Sequence, residues 1–220
     1  MKVGTDGTML GCWANVSTSN QILDVGCGSG VLTAICAQKN SNANIIGIDV
    51  ENGAFLDATE NVSKLDGSWS SRITILQTCL QDFVPNVKLD HIVSNPPFFE
   101  NSQVSVDDAR NFARHTDSLH YRDILSFGSN NLVKGGKISL VLPYENGLEA
   151  INQATLEGYF LTRKCVVFPI PQKAPHRLLL EFSNSEEEME LSQLIIETGI
   201  KRHDYTDEYK ALGKDFYLYF

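Results

Sequence analysis

The sequence predicts an α/β protein with a doubly wound, mostly parallel sheet of seven strands and one antiparallel edge strand. Short apolar runs alternate with helix-like stretches along most of the chain, a pattern typical of parallel strands covered by helices on both faces. The last two apolar runs are joined without room for a helix, so we expect them to pair antiparallel. A length of 220 residues suits one domain of this kind.

The first half of the chain predicts four strands and two helices. Each strand is a short run of mainly apolar residues, and each helix has apolar residues near one face. The expected strands cover 21–25, 44–50, 73–80 and 89–94. The expected helices cover 31–39 and 54–65.

The second half continues the alternation. A helix is expected over 118–133, with the Asp117 carboxylate as its N-cap, and another over 145–156. The remaining strands are expected over 137–142, 159–168 and 176–182. The acidic run from Glu186 to Glu188 is interpreted as a solvated turn. We predict a single domain over 1–220, divided into an N-terminal segment 1–19, a core 20–182 and a C-terminal extension 183–220.

Composition narrows the functional classes. No apolar run approaches the roughly 20 residues that cross a bilayer, and the N-terminus does not resemble a signal peptide, so we expect a cytoplasmic protein. The five cysteines contain no Cys-x-x-Cys pair. We interpret them as reduced, mostly buried thiols. His115 and His120 are not at the helical spacing of a metal pair, and no metal is predicted.

The charge is uneven along the chain. The net charge of -9 makes the whole protein a poor general binder of nucleic acid. The stretch from Arg110 to Glu181, however, has nine lysines and arginines against six acidic residues. A local surface that contacts phosphates is therefore permitted, although solvated side chains without a role are the alternative.

A glycine loop follows the first strand and opens the first predicted helix. Gly26, Gly28 and Gly30 follow Asp24 with the spacing Gly-x-Gly-x-Gly. That spacing differs from the dinucleotide-binding fingerprint, and S-adenosylmethionine suits it better than a pyrophosphate. An ordinary turn is the alternative.

Two carboxylates are expected to complete the cofactor site. Asp49 ends the second strand, where a carboxylate can accept hydrogen bonds from both ribose hydroxyls. Asp82 follows the third strand and is placed to contact the adenine amino group, although a lone Asp there is often a helix cap.

A second motif, Asn95-Pro96-Pro97-Phe98, stands at the carboxyl end of the fourth strand. An exocyclic amine or amide nitrogen is a poor nucleophile because its lone pair is delocalised. The Asn95 side-chain oxygen and the Pro96 carbonyl can accept its two N–H groups and localise that pair. Pro97 stiffens the loop, and Phe98 can stack on a planar substrate. A plain turn is the alternative interpretation.

In this order along the chain, the two motifs resemble those of class I S-adenosylmethionine-dependent methyltransferases, over nearly the whole length. The resemblance implies a Rossmann-like fold and S-adenosylmethionine as cofactor. The Asn-Pro-Pro-Phe motif is similar to that of amino-nitrogen methyltransferases acting on adenine, guanine or glutamine. It indicates the reaction class and leaves the acceptor open.

The stretch from Lys2 to Gly7 narrows the family. By itself, Asp6-Gly7 indicates a turn. The stretch resembles the bacterial family that methylates N6 of adenine 37 in valine tRNA, in which Thr-Asp-Gly lies over the cofactor. Further similarities are at 95–99, 113–115, 175–182 and 215–218. Family members usually carry a short segment ahead of this stretch, which we expect to be missing here.

This resemblance implies direct attack of the adenine amine on the sulfonium methyl group. Lys2 and Thr5 are expected to contact the methionine part of the cofactor, and segment 1–19 to cover it. The expected RNA surface comprises Arg114, Lys173, His176 and Arg177, for each of which a surface charge without a role is the alternative.

Other functions stay open at this point. Methylation of guanine N2 or adenine N6 in rRNA, or of a protein glutamine, would use the same motif. A module that only binds S-adenosylmethionine is a further alternative, but such a protein would gain nothing from the Asn95 and Pro96 acceptors.

Overall fold

The structure is a computed structural model that describes residues 4–97 and 119–217. The strands within these ranges are β1 Gln21–Val25, β2 Asn44–Asp49, β3 Ile73–Gln77, β4 Leu89–Ser94, β5 Leu132–Pro143, β6 Phe160–Phe168, β7 Arg177–Ser183 and β8 Glu190–Ile195. The helices are α1 Thr5–Trp13, α2 Val31–Lys39, α3 Asn52–Ser63, α4 Gly67–Ser70, α5 Tyr121–Asn131, α6 Tyr144–Leu156 and α7 Asp207–Gly213.

The eight strands form one sheet in the order β3-β2-β1-β4-β5-β7-β6-β8. Neighbours from β3 to β5 are parallel. Strand β7 runs antiparallel to both β5 and β6, and β8 is parallel to β6. Every strand except β7 therefore ends at the same edge of the sheet, which we call the carboxyl edge. Ligands of open α/β sheets bind at such an edge.

The predicted fold class is confirmed, with two differences in detail. The sheet has eight strands rather than seven, and the reversed strand β7 lies inside the sheet. Strand β7 is interior because it inserts between β5 and β6, and the eighth strand is β8, which adds to the outside of β6. Four of its six residues are exposed and only Leu194 is buried, so its sequence has too few apolar positions to stand out as a strand.

The turn expected at Asp6-Gly7 is instead the first turn of α1. Two glycines and two threonines give this segment a weak helical propensity. The helix forms because it is packed, with six consecutive buried residues from Thr8 to Trp13. Tertiary burial commonly overrides local propensity in this way.

The predicted start of α5 is also corrected. Asp117, the expected N-cap, lies outside the described residues, and the helix is capped by His120. The His120 ring nitrogen Nδ1 accepts a hydrogen bond from the Arg122 N–H at 3.2 Å. The Asp123 carboxylate accepts one from the His120 N–H at 3.0 Å. A histidine cap has no common sequence signature, so the acidic residue nearby was the stronger local indication.

Two apolar layers cover the faces of the sheet. The first contains buried residues of α1 and α2 with Val62 of α3 and Tyr209 of α7. The second contains buried residues of α5 and α6. Four of the five cysteines are buried and all five are free thiols. No helix in the described part of the chain is long and apolar enough to cross a membrane.

Candidate active site

The glycine loop turns between β1 and α2 at the carboxyl edge. Gly26, Gly28 and Gly30 all have left-handed φ angles, between 56° and 80°, which only glycine adopts without strain. The N–H groups of Gly26 and Cys27 donate to the Ile48 carbonyl, so the loop is held against the end of β2. A Cβ built on Gly26 would lie 3.1 Å from Leu119, and one built on Gly30 would lie 3.3 Å from Ala58, so these two positions have little room for a side chain. Cofactor binding by the loop remains a prediction.

Asp24 lies beneath this loop and is fully buried. Its Oδ2 accepts a hydrogen bond from the Thr33 hydroxyl at 2.6 Å, whereas its Oδ1 accepts none from the described residues. Burial, reinforced by the nearby Asp49 charge, raises the pKa of Asp24 to about 7. An unpartnered buried carboxylate oxygen is costly, and it fits a site that holds the ammonium group of an aminoacyl ligand.

Asp49 stands at the end of β2, beside the glycine loop. Its Oδ2 accepts from the Gly28 N–H at 2.9 Å and its Oδ1 from the Glu51 N–H at 3.0 Å. The carboxylate is half-buried and has remaining lone pairs for hydroxyl donors. The predicted pairing of Asp49 with the cofactor ribose is therefore compatible with its position.

Asp82 lies further from these groups. Its side chain is exposed, and Oδ2 accepts a hydrogen bond from the Cys79 thiol at 3.2 Å. It borders an open groove with Ile46, Leu76 and Phe83, and neither the glycine loop nor Asn95 lines this groove. Contact of Asp82 with the cofactor's adenine remains a prediction.

The second motif begins at the end of β4, next to β1. The buried Ser94 hydroxyl donates to the Val25 carbonyl at 2.7 Å, which joins this loop to the residue before the glycine loop. Asn95 is half-buried, Pro96 buried and Pro97 exposed. The Asn95 Oδ1 is buried and accepts no hydrogen bond from the described residues. Its free lone pairs are the expected property of an acceptor for a substrate amine. Phe98 lies outside the described residues.

The first turn of α1 is the neighbour of Asn95 that sequence reasoning did not identify. A Cβ built on Gly7 would lie 3.7 Å from the Asn95 Nδ2. Thr5 is exposed at the start of this turn, so its predicted cofactor contact remains a prediction. Lys2 lies outside the described residues. Ser94 carries no sequence motif of its own, and the Thr-Asp-Gly stretch that contains Gly7 gave no indication of its contact with Asn95.

The residues predicted to contact RNA differ in their surroundings. Lys173 is exposed in the connection between β6 and β7. The His176 ring nitrogen Nδ1 is 3.2 Å from the Val167 carbonyl, and burial lowers the pKa of this imidazole. Arg177 Nε donates to Asp6 Oδ2 at 2.8 Å. Arg114 lies outside the described residues. All four RNA contacts remain predictions.

Part of the basic surplus in the middle of the chain is used inside the protein. Lys137 and Arg163 flank the fully buried carboxylate of Glu181, at 3.2 and 3.4 Å. Although burial acts to raise the pKa of Glu181, the interactions with His91, Lys137 and Arg163 hold it below its usual range. Arg163 also lies 4.2 Å from the ring centre of Trp13. The count of charges in the sequence therefore overstates the positive surface available to a phosphate chain.

Comparisons with known proteins identify the family of this chain. Residues 8–166 match the methyltransferase small domain family. The tRNA1(Val) (adenine(37)-N6)-methyltransferase of Parabacteroides distasonis is 42% identical, covering 99% of this chain and 91% of that protein. The proteins of the same name from Trichodesmium erythraeum and Vibrio campbellii are 37% and 35% identical, each covering 99% of this chain and 91% and 89% of their own lengths.

Solved structures share the fold. A predicted O-methyltransferase from Agrobacterium tumefaciens superposes with a TM-score of 0.72 at 18% identity, covering 96% of both chains. The ribosomal protein L11 methylase of Lactobacillus delbrueckii subsp. bulgaricus superposes with a TM-score of 0.57 at 17% identity, covering 82% of this chain and 77% of that one. These likenesses concern the architecture alone.

Fold, site and relatives together define an S-adenosylmethionine-dependent methyltransferase of class I. The predicted enzyme class and cofactor are confirmed. More narrowly, the chain belongs to the methyltransferase small domain family, in one group with the tRNA1(Val) (adenine(37)-N6)-methyltransferases.

Proposed function

We propose that this enzyme transfers a methyl group from S-adenosylmethionine to N6 of adenine 37 in the anticodon loop of valine tRNA. The observation that carries the proposal is the buried, unpartnered Oδ1 of Asn95, one residue beyond the Ser94 link to the cofactor loop. The choice of tRNA and position rests on the relatives, which carry this substrate in their names at 35–42% identity.

The residues present fit this reaction. S-adenosylmethionine supplies an electrophilic methyl group when bound. Asn95 Oδ1 and the Pro96 carbonyl oxygen accept hydrogen bonds from the two N–H groups of the adenine amine. The lone pair of the amine nitrogen then points toward the methyl group. The glycine loop and Asp49 orient the cofactor against this acceptor pair. Catalysis then depends on proximity and orientation rather than on a strong base.

An unpaired loop base suits such a site. Moving a base out of a single-stranded stack costs only a few kcal/mol, less than breaking a duplex pair. The enzyme would then act in the cytoplasm, the compartment that the sequence predicts.

The geometry also supports a docking surface for the tRNA at the carboxyl edge. The connections that follow β6 and β8 both emerge there. They contact each other, since the Glu197 N–H donates to the Pro169 carbonyl at 3.0 Å. The exposed cations in these connections are Lys173, Lys201 and Arg202. Exposed lysine and arginine side chains at one edge are suited to phosphate contacts, which position a nucleic acid without reading its sequence.

The direct test uses valine tRNA purified from a strain that lacks the gene. The tRNA is incubated with enzyme and cofactor, and N6-methyladenosine is mapped by mass spectrometry of nuclease fragments. The expected result is one methyl group at adenine 37. Mixed rRNA and a glutamine-bearing protein fraction serve as parallel substrates. A methyl group on either of these, or at another tRNA nucleotide, would refute the proposed substrate and leave the reaction class standing.

A further inference from the structure

We infer that Asp6 and Arg177 form a positioning pair, which holds the first turn of α1 against Asn95 and so keeps the Asn95 acceptor oxygen facing the substrate. This inference deepens the proposed function and rests on it. Neither residue is required to touch substrate or cofactor. The inference depends on the ion pair itself, on the position of Arg177 in β7, on the first turn of α1 and on the side chain of Asn95.

The ion pair joins two distant parts of the chain. Arg177 Nε donates to Asp6 Oδ2 at 2.8 Å, with side-chain exposures of 23% and 20%. Arg177 Nη1 also donates to the His176 carbonyl at 2.9 Å, so the guanidinium is fixed in orientation. Fully exposed pairs contribute little because of solvent and entropy. A mostly covered pair with a second hydrogen bond restrains its partners more firmly.

The anchor of this pair is the sheet itself. Arg177 is the first residue of β7 and pairs in register with Pro143 at the end of β5. Its backbone therefore sits at the carboxyl edge, two strands from β4, and Asn95 directly follows β4. The ion pair between Asp6 and Arg177 therefore links the start of α1 to the sheet.

Among the described residues, the other polar contacts of the first turn of α1 are local, such as the hydrogen bond from the Thr8 hydroxyl to the Gly4 carbonyl at 3.3 Å. Gly4 at its N-cap provides no side-chain hydrogen bond. The other end of the helix is held separately, because the Lys39 amine donates to the carbonyls of Gly11 and Cys12 at 3.1 and 2.6 Å. Loss of the Asp6–Arg177 pair should therefore loosen one turn while the rest of α1 stays docked.

The position next to Asp6 is where this turn meets the catalytic amide. Gly7 lies beside the Asn95 side chain, since a Cβ built on Gly7 would be 3.7 Å from Asn95 Nδ2. Asn95 Oδ1 accepts no hydrogen bond from the described residues, so its neighbours must fix its orientation. A half-turn of the amide exchanges oxygen and nitrogen, and would present a donor to the substrate amine instead of an acceptor.

The test compares Asp6→Asn with Arg177→Gln, which both remove the charge and keep the approximate size. Each variant should lower the single-turnover rate by about 10- to 100-fold, the scale expected for a misplaced reacting group. Cofactor affinity by calorimetry should stay within about threefold in both variants, and tRNA affinity should do so in Asp6→Asn. The double variant should be no slower than the slower single variant, because both changes break the same ion pair.

Asp6→Asn separates this role from an RNA contact of Arg177. If Arg177 served only to bind phosphates, removing the Asp6 charge would leave the turnover rate unchanged or strengthen tRNA binding. Either result would overturn the inference. Glu60→Gln is the matched control, since it removes an exposed ion pair with Lys64 on α3 and should change neither rate nor affinity.

A second readout needs no substrate. In ¹⁵N-labelled protein, the side-chain amide resonances of Asn95, assigned through Asn95→Ala, should shift or broaden in both variants and stay in place in Glu60→Gln. Unaltered Asn95 resonances would overturn the inference. If the wild-type enzyme methylated no tRNA, the proposed substrate would fail, and the amide resonances would still decide whether the pair positions Asn95.

Discussion

Two oxygen atoms without partners define the site at the scale of single residues. The Oδ1 atoms of Asp24 and Asn95 are both buried, and neither accepts a hydrogen bond from the described residues. Buried polar atoms are nearly always paired in folded proteins. For these two atoms we predict that a ligand supplies the partner, the cofactor at Asp24 below the glycine loop and the substrate amine at Asn95 beside it.

Asn95→Ala should separate binding from chemistry. The acceptor acts on the substrate amine, so calorimetry should give an unchanged affinity for S-adenosylmethionine. Single-turnover methyl transfer should fall by about 10²–10³, the usual loss for one well-placed polar group in a transition state. Turnover close to that of the wild type in a folded variant would remove Asn95 from the mechanism.

The raised pKa of Asp24 should make the free energy of unfolding depend on pH. Burial raises its pKa from 3.8 to about 7, so between these values the folded state holds a proton that the unfolded state has released. The free energy of unfolding should therefore fall as pH rises through this window, by up to about 1.4 kcal/mol per pH unit, and level off above it.

The measurement compares urea unfolding of the wild type and Asp24→Asn from pH 5 to pH 8. The other carboxylates titrate in both proteins, so the difference between the two curves isolates Asp24. The variant should gain stability relative to the wild type as pH rises. Two parallel curves would contradict the raised pKa.

The sequence predicted the residues of the candidate site better than it predicted the hydrogen bonds and packing that support them. The motif residues are recognisable because their chemistry needs glycine with left-handed φ and an amide at the end of a strand. Ser94 is different, since a serine hydroxyl that bonds to the Val25 carbonyl leaves no pattern in a single chain. The burial of Asp24 likewise depends on the packing of α2 above it.

At the scale of elements, α1 is the helix that sequence reasoning missed. Its apolar residues do not follow a single stripe, because the helix is covered by α2 and the sheet. Its C-terminal carbonyls are satisfied by the Lys39 amine. Burial lowers the pKa of this amine. In the sequence, a lysine whose amine donates to the carbonyls of another helix looks the same as a lysine exposed to solvent.

Lys39→Met should destabilise the protein through α1. The substitution keeps the apolar stem and leaves buried carbonyls without a donor, which costs about 1–3 kcal/mol. Urea unfolding measures the loss. Lys64→Met at the C-cap of α3 is the control, because its exposed ion pair with Glu60 contributes less than about 1 kcal/mol. Equal losses in both variants would show that the Lys39 hydrogen bonds are unimportant.

At the scale of the whole molecule, charge is distributed by topology rather than by sequence position. The excess of lysine and arginine in the middle of the chain predicted a basic surface, but Lys137 and Arg163 neutralise Glu181 inside the sheet. Lys201 and Arg202, from the acidic C-terminal part, join Lys173 at the carboxyl edge instead. The doubly wound sheet was predictable from alternating apolar runs, whereas the mostly exposed β8 that brings these cations there was not.

Removal of these cations should change the salt dependence of tRNA binding. Lys173→Gln and the double variant Lys201→Gln/Arg202→Gln should each weaken binding at low salt. The slope of log affinity against log salt should decrease by about one for each phosphate that the protein no longer neutralises. Lys64→Gln removes a charge far from this edge and should leave the slope unchanged. Equal slopes for all these proteins would move the RNA surface elsewhere.

Strand β4 separates two halves of the sheet, one with the cofactor loop and one with the exposed connections expected to contact RNA. Strands β1, β2 and β3 lie on one side with the cofactor loop and Asp49, and β5, β7, β6 and β8 lie on the other with the exposed connections. The exposed stretches 171–174 and 199–203 of the connections that follow β6 and β8 can therefore be exchanged with little effect on the half expected to hold the cofactor, whereas His176, Ile196 and Tyr205 must be kept because they contact Arg177 or the apolar layer of α1 and α2. Chimeras that receive these two segments from a methyltransferase with another RNA acceptor offer a route to retargeting methylation while the methyl-donor half is reused unchanged.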